Sequence, residues 1–386
     1  MQIRIAMLLS NPFRPDTRVL KEATSLQQAG YLVTIICWDR AAELAADETL
    51  ENGVKIHRIQ AVPSSYGIGA VQLMRLPRFW LAALKELDLS QPHLVHCHDF
   101  DTLPAGLLWG RLHHLPVVYD SHEHYADLVK PRLVGVVGKV IYNILNLTEQ
   151  IGARLASAVI TVDENLGAKF RRLNPRVVIL GHYPALQHFN KPARVFTGKT
   201  LNLVYVGRLS VDRGLVTYLK ILRSLHELGV PARLLLAGAF TPESEKDAFT
   251  RHSQGLEESI DCRGWLAYQQ IPEFLSTADV GLVILTPVPR YVVALPVKLF
   301  EYMASGLPVI ASNFPVTAQI INESNCGLVI DPLDDPLLVA QAIREWWEHP
   351  DIPCALGLNG RQAVHKKYHW DIDAAQVDQL YQSLLK

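Results

Sequence analysis

Short apolar runs alternate along this chain with longer stretches in which apolar residues recur every three or four positions. The short runs read as strands buried on both faces, and the longer stretches as helices with one apolar side. Alternation of the two is the pattern of a parallel sheet whose strands return through helices. In the first half it predicts strands at residues 3–9, 33–38, 54–58, 94–98, 117–120, 158–162 and 177–180. Helices fall between them, among them 18–29 and 103–113. The periodicity then breaks around Pro184 and Pro192, so residues 184–199 read as a linker. Alternation restarts with strands at 201–206, 233–237, 260–262, 280–285, 308–311 and 326–330. The helices expected there include 215–228, 243–252, 271–278, 297–303 and 337–348, with a last one at 372–385. The predicted class is therefore α/β: two Rossmann-like, doubly wound domains at 1–183 and 200–369, followed by a terminal segment at 370–386. In such sheets ligands sit beyond the carboxyl ends of the strands, here in a cleft between the domains.

Composition narrows the function classes. Of 386 residues, 49% are hydrophobic, enough for two cores, and only 19% are charged. A formal net charge of −1 argues against a nucleic-acid partner, which calls for a basic excess. Cys37, Cys97, Cys262, Cys326 and Cys354 are scattered without a C-x-x-C pair. That speaks against a disulfide framework and for a reducing compartment. The apolar run at 3–9 is too short for a signal peptide, and no run reaches the ~18 apolar residues of a membrane span. A cytoplasmic location is expected, at the inner face of the membrane if the acceptor is a lipid.

Two segments carry candidate chemistry. Residues 295–310 read L-P-V-K-L-F-E-Y-M-A-S-G-L-P-V-I. Pro296 suits the first helical turn, Gly306 and Pro308 stop the helix, and Val309 opens a buried strand. The start of that helix, around Leu295, Pro296 and Val297, presents unpaired backbone N–H groups and a positive dipole end, which favour a phosphate. Glu301 points back toward the same end. Lys298 either faces those phosphates or only pairs with Glu301. Earlier, Gly207-Arg208-Leu209 leaves a buried strand, and Asp212-Arg213-Gly214 precedes a helix. Two arginines five apart at a strand-to-helix crossover can converge on one diphosphate, for which the planar guanidinium is well shaped.

Together these segments resemble the GT-B glycosyltransferases of family 4, also called glycosyl transferases group 1. That family's donor domain carries G-R-L-x-x-[ED]-K-G and, about ninety residues on, P-x-K-x-x-E-[YA]-M-A-x-G-x-P-V-[IV]. The resemblance covers essentially the whole chain, is more specific in its second half, and implies that the C-terminal helix at 370–386 crosses back onto the N-terminal domain. It implies that Arg208 and Arg213 hold the donor diphosphate and act in catalysis, and that Glu301 accepts the ribose hydroxyls. It also implies that loops at Gly238 and Gly264-Trp265 pass beside the donor; Trp265 either stacks on the base or is a core residue. The second basic position is Arg213 where the family usually has lysine. A further departure is Val293, where many members have a sugar-binding glutamate, so sugar recognition shifts here or activity weakens.

The first half is looser. His96-Cys97-His98-Asp99 puts two histidines on one face of a strand end, since side chains alternate with period two. Asp120-Ser121-His122-Glu123-His124 ends the next strand. These resemble H-x-H-D and D-x-H-E signatures of one subgroup, in which His122 takes the position of a histidine near the transferred sugar, implying a catalytic role. His98, Asp99 and Glu123 are candidates for positioning the acceptor, with Asp99 or Glu123 alternatively acting as base. Asp16 and Arg18 match a D-x-R-V entry of the same subgroup, or are a helix N-cap and a surface arginine. Four histidines and three acids also suit zinc, but His122-Glu123-His124 lacks the H-E-x-x-H spacing and the family needs no metal for its chemistry, so none is expected. No glycine precedes Gly30 after the first strand, which rejects a dinucleotide site. Apolar stretches at 62–87 and 129–147 carry Arg75, Arg78, Lys130, Arg132 and Lys139, as peripheral membrane helices or ordinary core helices do.

The expectation is a retaining, metal-independent transferase. It moves a sugar from a UDP- or GDP-linked donor to a hydroxyl acceptor, in polysaccharide or glycolipid synthesis. A nucleotide-sugar epimerase of the same architecture and a non-catalytic nucleotide-sugar-binding subunit are the alternatives.

Overall fold

The computed structural model describes all residues except 1, 15, 64–68, 130–134, 192–198 and 332–333. Lys130, Arg132 and the second half of the expected linker lie outside the described residues. Two compact units form, one from Met1–Leu180 with Asp373–Lys386 and one from Gly181–Ile372.

The first unit's strands are β1 (Arg4–Leu9), β2 (Leu32–Trp38), β3 (Asp47–Thr49), β4 (Lys55–Ile59), β5 (Leu94–His98), β6 (Val117–Ser121), β7 (Ala158–Thr161) and β8 (Val177–Ile179). They form one sheet in the order β3-β4-β2-β1-β5-β6-β7-β8, parallel except where β3 meets β4. Alternation decides which side chain enters which layer. Ile5, Met7 and Leu9 of β1 join one core with Val19, Ala23 and Leu26 of the helix Thr17–Gln28. Ala6 and Leu8 join the other, with Phe79 and Trp109 of the helices Gly69–Ser90 and Leu103–His113. On β5, Leu94 sides with the first core and Val95 and Cys97 with the second, so His96 and His98 face the first. Val377, Leu380 and Tyr381 of the terminal helix Trp370–Leu384 complete that core.

The second unit's strands are β9 (Leu201–Val206), β10 (Ala232–Ala237), β11 (Ile260–Cys262), β12 (Val280–Val283), β13 (Val309–Ser312) and β14 (Gly327–Ile330). Their order is β11-β10-β9-β12-β13-β14, all parallel. In each sheet the chain winds one way from the first strand and then the other. The switch points lie between β1 and β5 and between β9 and β12, where a crevice opens at the carboxyl ends.

Three expectations change. Residues 181–191, read as domain end and linker, pack with the second unit. Ala185 and Phe189 are buried, and Tyr183 sets its edge against Phe300 and Tyr368. β3 was not foreseen, because its three residues are polar and exposed and owe their conformation to pairing with β4. Pro296 is the N-cap residue of the helix Val297–Ala304, with an extended ψ of 110°, and stands outside the first turn.

Candidate functional site

In the second unit, the turn after β9 packs on the turn after β10. The N–H of Leu209 reaches the carbonyl of Ala239 at 2.9 Å, and that of Gly238 reaches Gly264 at 2.7 Å. Gly238 has φ +150°, and a Cβ there would lie 1.8 Å from the Gly207 carbonyl oxygen. Gly207 has φ +129°, and a Cβ there would meet the Lys298 ammonium at 2.9 Å. Only glycine lets these two backbones approach each other and Lys298.

The arginines gather on this platform. Arg208 donates to Asp212 at 2.9 Å and to the Tyr291 hydroxyl at 3.1 Å. Arg213 reaches the same hydroxyl through Nε at 3.3 Å. Arg290 joins them, at 2.7 Å from Asp212 and 3.1 Å from Tyr291. Tyr291 in turn donates to Asp212 at 2.8 Å. Burial alone would raise the Asp212 carboxyl, but bonds from Ser210 and Tyr291 and the Arg208 charge hold it at about 2. Asp212 is thus an anion shared by competing cations.

Lys298 stands nearby with its Nζ buried, 3.8 Å over the Tyr205 ring and without a hydrogen-bond partner among the described residues. Burial first, then the charges of Arg213 and Arg208, push its pKa well below the usual lysine value, against the pull of Glu301. Glu301 is buried on the same helix. Trp265 is 73% exposed, which excludes the core reading. Val293 ends the short helix Pro289–Val293 and is half exposed. That helix also delivers Arg290 and Tyr291, both overlooked in the sequence. The signal was there, in a proline at a helix start followed by Arg-Tyr.

In the first unit, parallel register sets His98 beside Asp120. One oxygen of Asp120, Oδ2, lies 2.9 Å from His98 Nδ1 and 2.9 Å from His122 Nε2. The rings of His96 and His98 stack at 4.2 Å, and those of His98 and His122 lie 5.7 Å apart and nearly parallel. His96 Nδ1 meets the Tyr381 hydroxyl at 2.5 Å. Asp99 takes a left-handed φ of 62° and sets Oδ1 3.3 Å from His122 Nδ1. Strain of this kind at a polar residue is typical of functional sites. Burial opposes charge on His122, but Asp120 and Asp99 on either side drive its pKa well above the ordinary histidine value. Burial and His98 lower His96 to about 4.

Asp16 is the N-cap of the helix Thr17–Gln28, as one reading had it, and accepts from the N–H of Arg18 at 3.2 Å. The guanidinium of Arg18 folds back onto the Asp16 carboxylate at 3.0 Å. Burial would raise Asp16, yet Arg18, with His122 and His98, holds it at about 2. Asp16 also lines an open depression with Asn11, Arg14, Asp39 and Glu43. Glu123 is exposed, and its carbonyl receives Ser121 Oγ at 3.1 Å. His124 pairs with Asp127 at 3.3 Å. Sequence reasoning missed Glu22, which occupies an inward position of its helix between Val19 and Leu26 and is fully buried. A glutamate on the apolar stripe was the available signal.

Two parallel sheets with switch-point sites define a GT-B fold. The solved sucrose-phosphate synthase of Thermosynechococcus elongatus has this fold, with a TM-score of 0.79 and 20% identity over 99% of each chain. So has Anabaena HepE in complex with UDP, with a TM-score of 0.69 and 15% identity over 99% of this chain and 100% of that one. Residues 15–181 match the family described as "Glycosyl transferase 4-like domain" and residues 200–349 that described as "Glycosyl transferases group 1". The chain belongs to the group 1 glycosyl transferases. A GDP-mannose-dependent alpha-(1-6)-phosphatidylinositol dimannoside mannosyltransferase of Mycobacterium tuberculosis is 26% identical over 282 residues, covering 69% of this chain and 68% of that protein. Other curated relatives match over about half their length.

Proposed function

We propose that this glycosyltransferase takes a nucleoside diphosphate sugar, GDP- or UDP-linked, and transfers the sugar to a hydroxyl acceptor with retention of configuration. The convergence of Arg208, Arg213 and Arg290 on one tyrosine hydroxyl, beside a buried unpartnered Lys298, carries this reading. Three guanidiniums gather about Tyr291 and the one carboxylate of Asp212, more positive charge than it can neutralise, and a diphosphate supplies the remainder. As the glycosidic bond breaks, negative charge grows on the leaving diphosphate, where Arg208 and Arg213 stabilise it without a metal. Glu301 accepts hydrogen bonds from the ribose, and Trp265 offers a face to the base. Backbone groups of Leu295, Pro296 and Val297 replace the missing acid at Val293 in holding the sugar.

In the first unit His122 supports the sugar, oriented by Asp120 and Asp99. Asp16, Arg18, His98 and Asp99 position the acceptor, and Glu123 sits at the rim. The acceptor is proposed to be lipid-linked at the inner face of a membrane. Val136, Val140, Ile144, Leu147, Ile151 and Leu155 form an exposed apolar stripe on the helix Gly135–Leu155. Such a stripe suits the boundary between headgroups and acyl chains. No described helix is long and apolar enough to cross a membrane.

The test is transfer of labelled sugar from GDP-mannose and UDP-glucose to lipid extracts, with the product's anomeric configuration read by NMR. Retention is expected, with a loss on the order of 10²-fold in Arg208→Ala. Donor binding without turnover on any acceptor would favour the non-catalytic subunit that Val293 keeps open.

A further inference from the structure

Glu22 is an anomaly that the transfer reaction does not use. Both of its carboxylate oxygens are buried and have no hydrogen-bond partner among the described residues. A buried polar group without a partner costs on the order of 1–3 kcal/mol, so native structures rarely keep one without a reason. The atoms around it are of one kind. His98 Nε2 and Asp120 Oδ1 are likewise buried without a hydrogen bond among the described residues, and His96 Nε2 is buried beside both carboxylates. One ligand atom from each of Glu22, His96, His98 and Asp120 lies within 4.8 Å of those of the others.

Two of the spacings lie nearer those around a small ion than those around a water molecule. His96 Nε2 is 3.7 Å from Glu22 Oε2 and 3.6 Å from Asp120 Oδ2. A tetrahedral ion with bonds of about 2.0–2.2 Å sets its ligands roughly 3.3–3.6 Å apart. A water molecule bonded to the same atoms at about 2.8 Å would spread them to roughly 4.6 Å. The donor set, two carboxylates and two imidazoles, agrees with an ion of the zinc class. So does the outer layer. A metal-bound histidine usually donates its second ring N–H to an oxygen, and His96 Nδ1 lies 2.5 Å from the Tyr381 hydroxyl.

We propose that Glu22, His96, His98 and Asp120 bind a structural divalent metal of the zinc class, closed to solvent and placed behind His122. The ion would tie the helix Thr17–Gln28 to β5 and β6, and through Tyr381 to the terminal helix. It takes no part in bond breaking; His98 then serves the ion rather than the acceptor, and the rest of the sugar-transfer reading is untouched.

The test uses the full chain purified from zinc-supplemented cells, gel-filtered after brief chelator treatment and assayed for metal. About one equivalent per chain should survive, because a closed site releases its ion only on unfolding. Refolding with cobalt(II) alone should give the visible bands of a tetrahedral nitrogen and oxygen site, without a thiolate charge-transfer band. Glu22→Gln should lower metal content at least tenfold. If that variant does not fold, X-ray absorption on the wild-type protein decides, with two imidazoles and two oxygens as the expected ligands. Metal well below one equivalent, metal stripped by brief chelation, sulfur ligands, or full retention in a folded Glu22→Gln would overturn the proposal.

Discussion

At the scale of single residues, Lys298 links structure to a pH-dependent measurement. Its pKa lies well below the usual value because it is buried beside Arg213 and Arg208. Between that lowered value and the ordinary ~10.4 the free protein carries it neutral. A bound diphosphate adds anionic charge, raises the pKa and draws in a proton. Donor binding should therefore weaken as pH rises through this window. Calorimetry near pH 9 in two buffers of different ionisation enthalpy should report net proton uptake, absent in Lys298→Met; equal heats in both buffers for the wild-type protein would refute the coupling. A backbone prediction belongs here too. Gly238→Ala forces a Cβ to within 1.8 Å of a carbonyl oxygen at φ +150°, so it should cost about 3 kcal/mol or more in denaturant unfolding. Sequence gave up the arginines at 208 and 213 because glycines frame them. It hid Arg290 and Tyr291, whose partners are brought close only by the fold, and Glu22, whose surroundings only the fold assembles.

At the scale of elements, the strands were legible because parallel strands are buried on both faces and read as continuous apolar runs. β3 was not, since its pairing with β4 alone makes it a strand. The same limit applies to helices with an apolar side: sequence cannot tell a stripe that meets a core from one that meets something else. The structure separates the cases. The helix Thr17–Gln28 buries Val19, Ala23 and Leu26, whereas Gly135–Leu155 leaves Val137 and Ile144 exposed. Val137→Glu with Ile144→Glu should leave the melting temperature within a degree or two while weakening cosedimentation with anionic vesicles at least several-fold. Unchanged vesicle binding would remove that face from the account.

At the scale of the whole molecule, the two units are joined in sequence in an interleaved way. The terminal helix follows the second unit but supplies Val377, Leu380 and Tyr381 to the core of the first. Each such side chain contributes roughly 1.5–3 kcal/mol when fully buried. A chain ending at Ile372 should lose cooperative unfolding of the first unit while the second keeps its calorimetric transition. Retention of both transitions would mean the helix is dispensable. This exchange is invisible to periodicity, which sees only one more amphipathic helix. The central claim is that the arginine platform of the second unit binds a nucleoside diphosphate sugar. Its most direct test is thermal unfolding against a panel of nucleoside diphosphates and their sugars, without added metal. A ligand at 100 times its Kd stabilises by about 2.7 kcal/mol, a shift of several degrees. The account predicts such a rise for one nucleotide class, abolished in Arg208→Ala and Glu301→Ala; no rise for any member at millimolar concentration would contradict it.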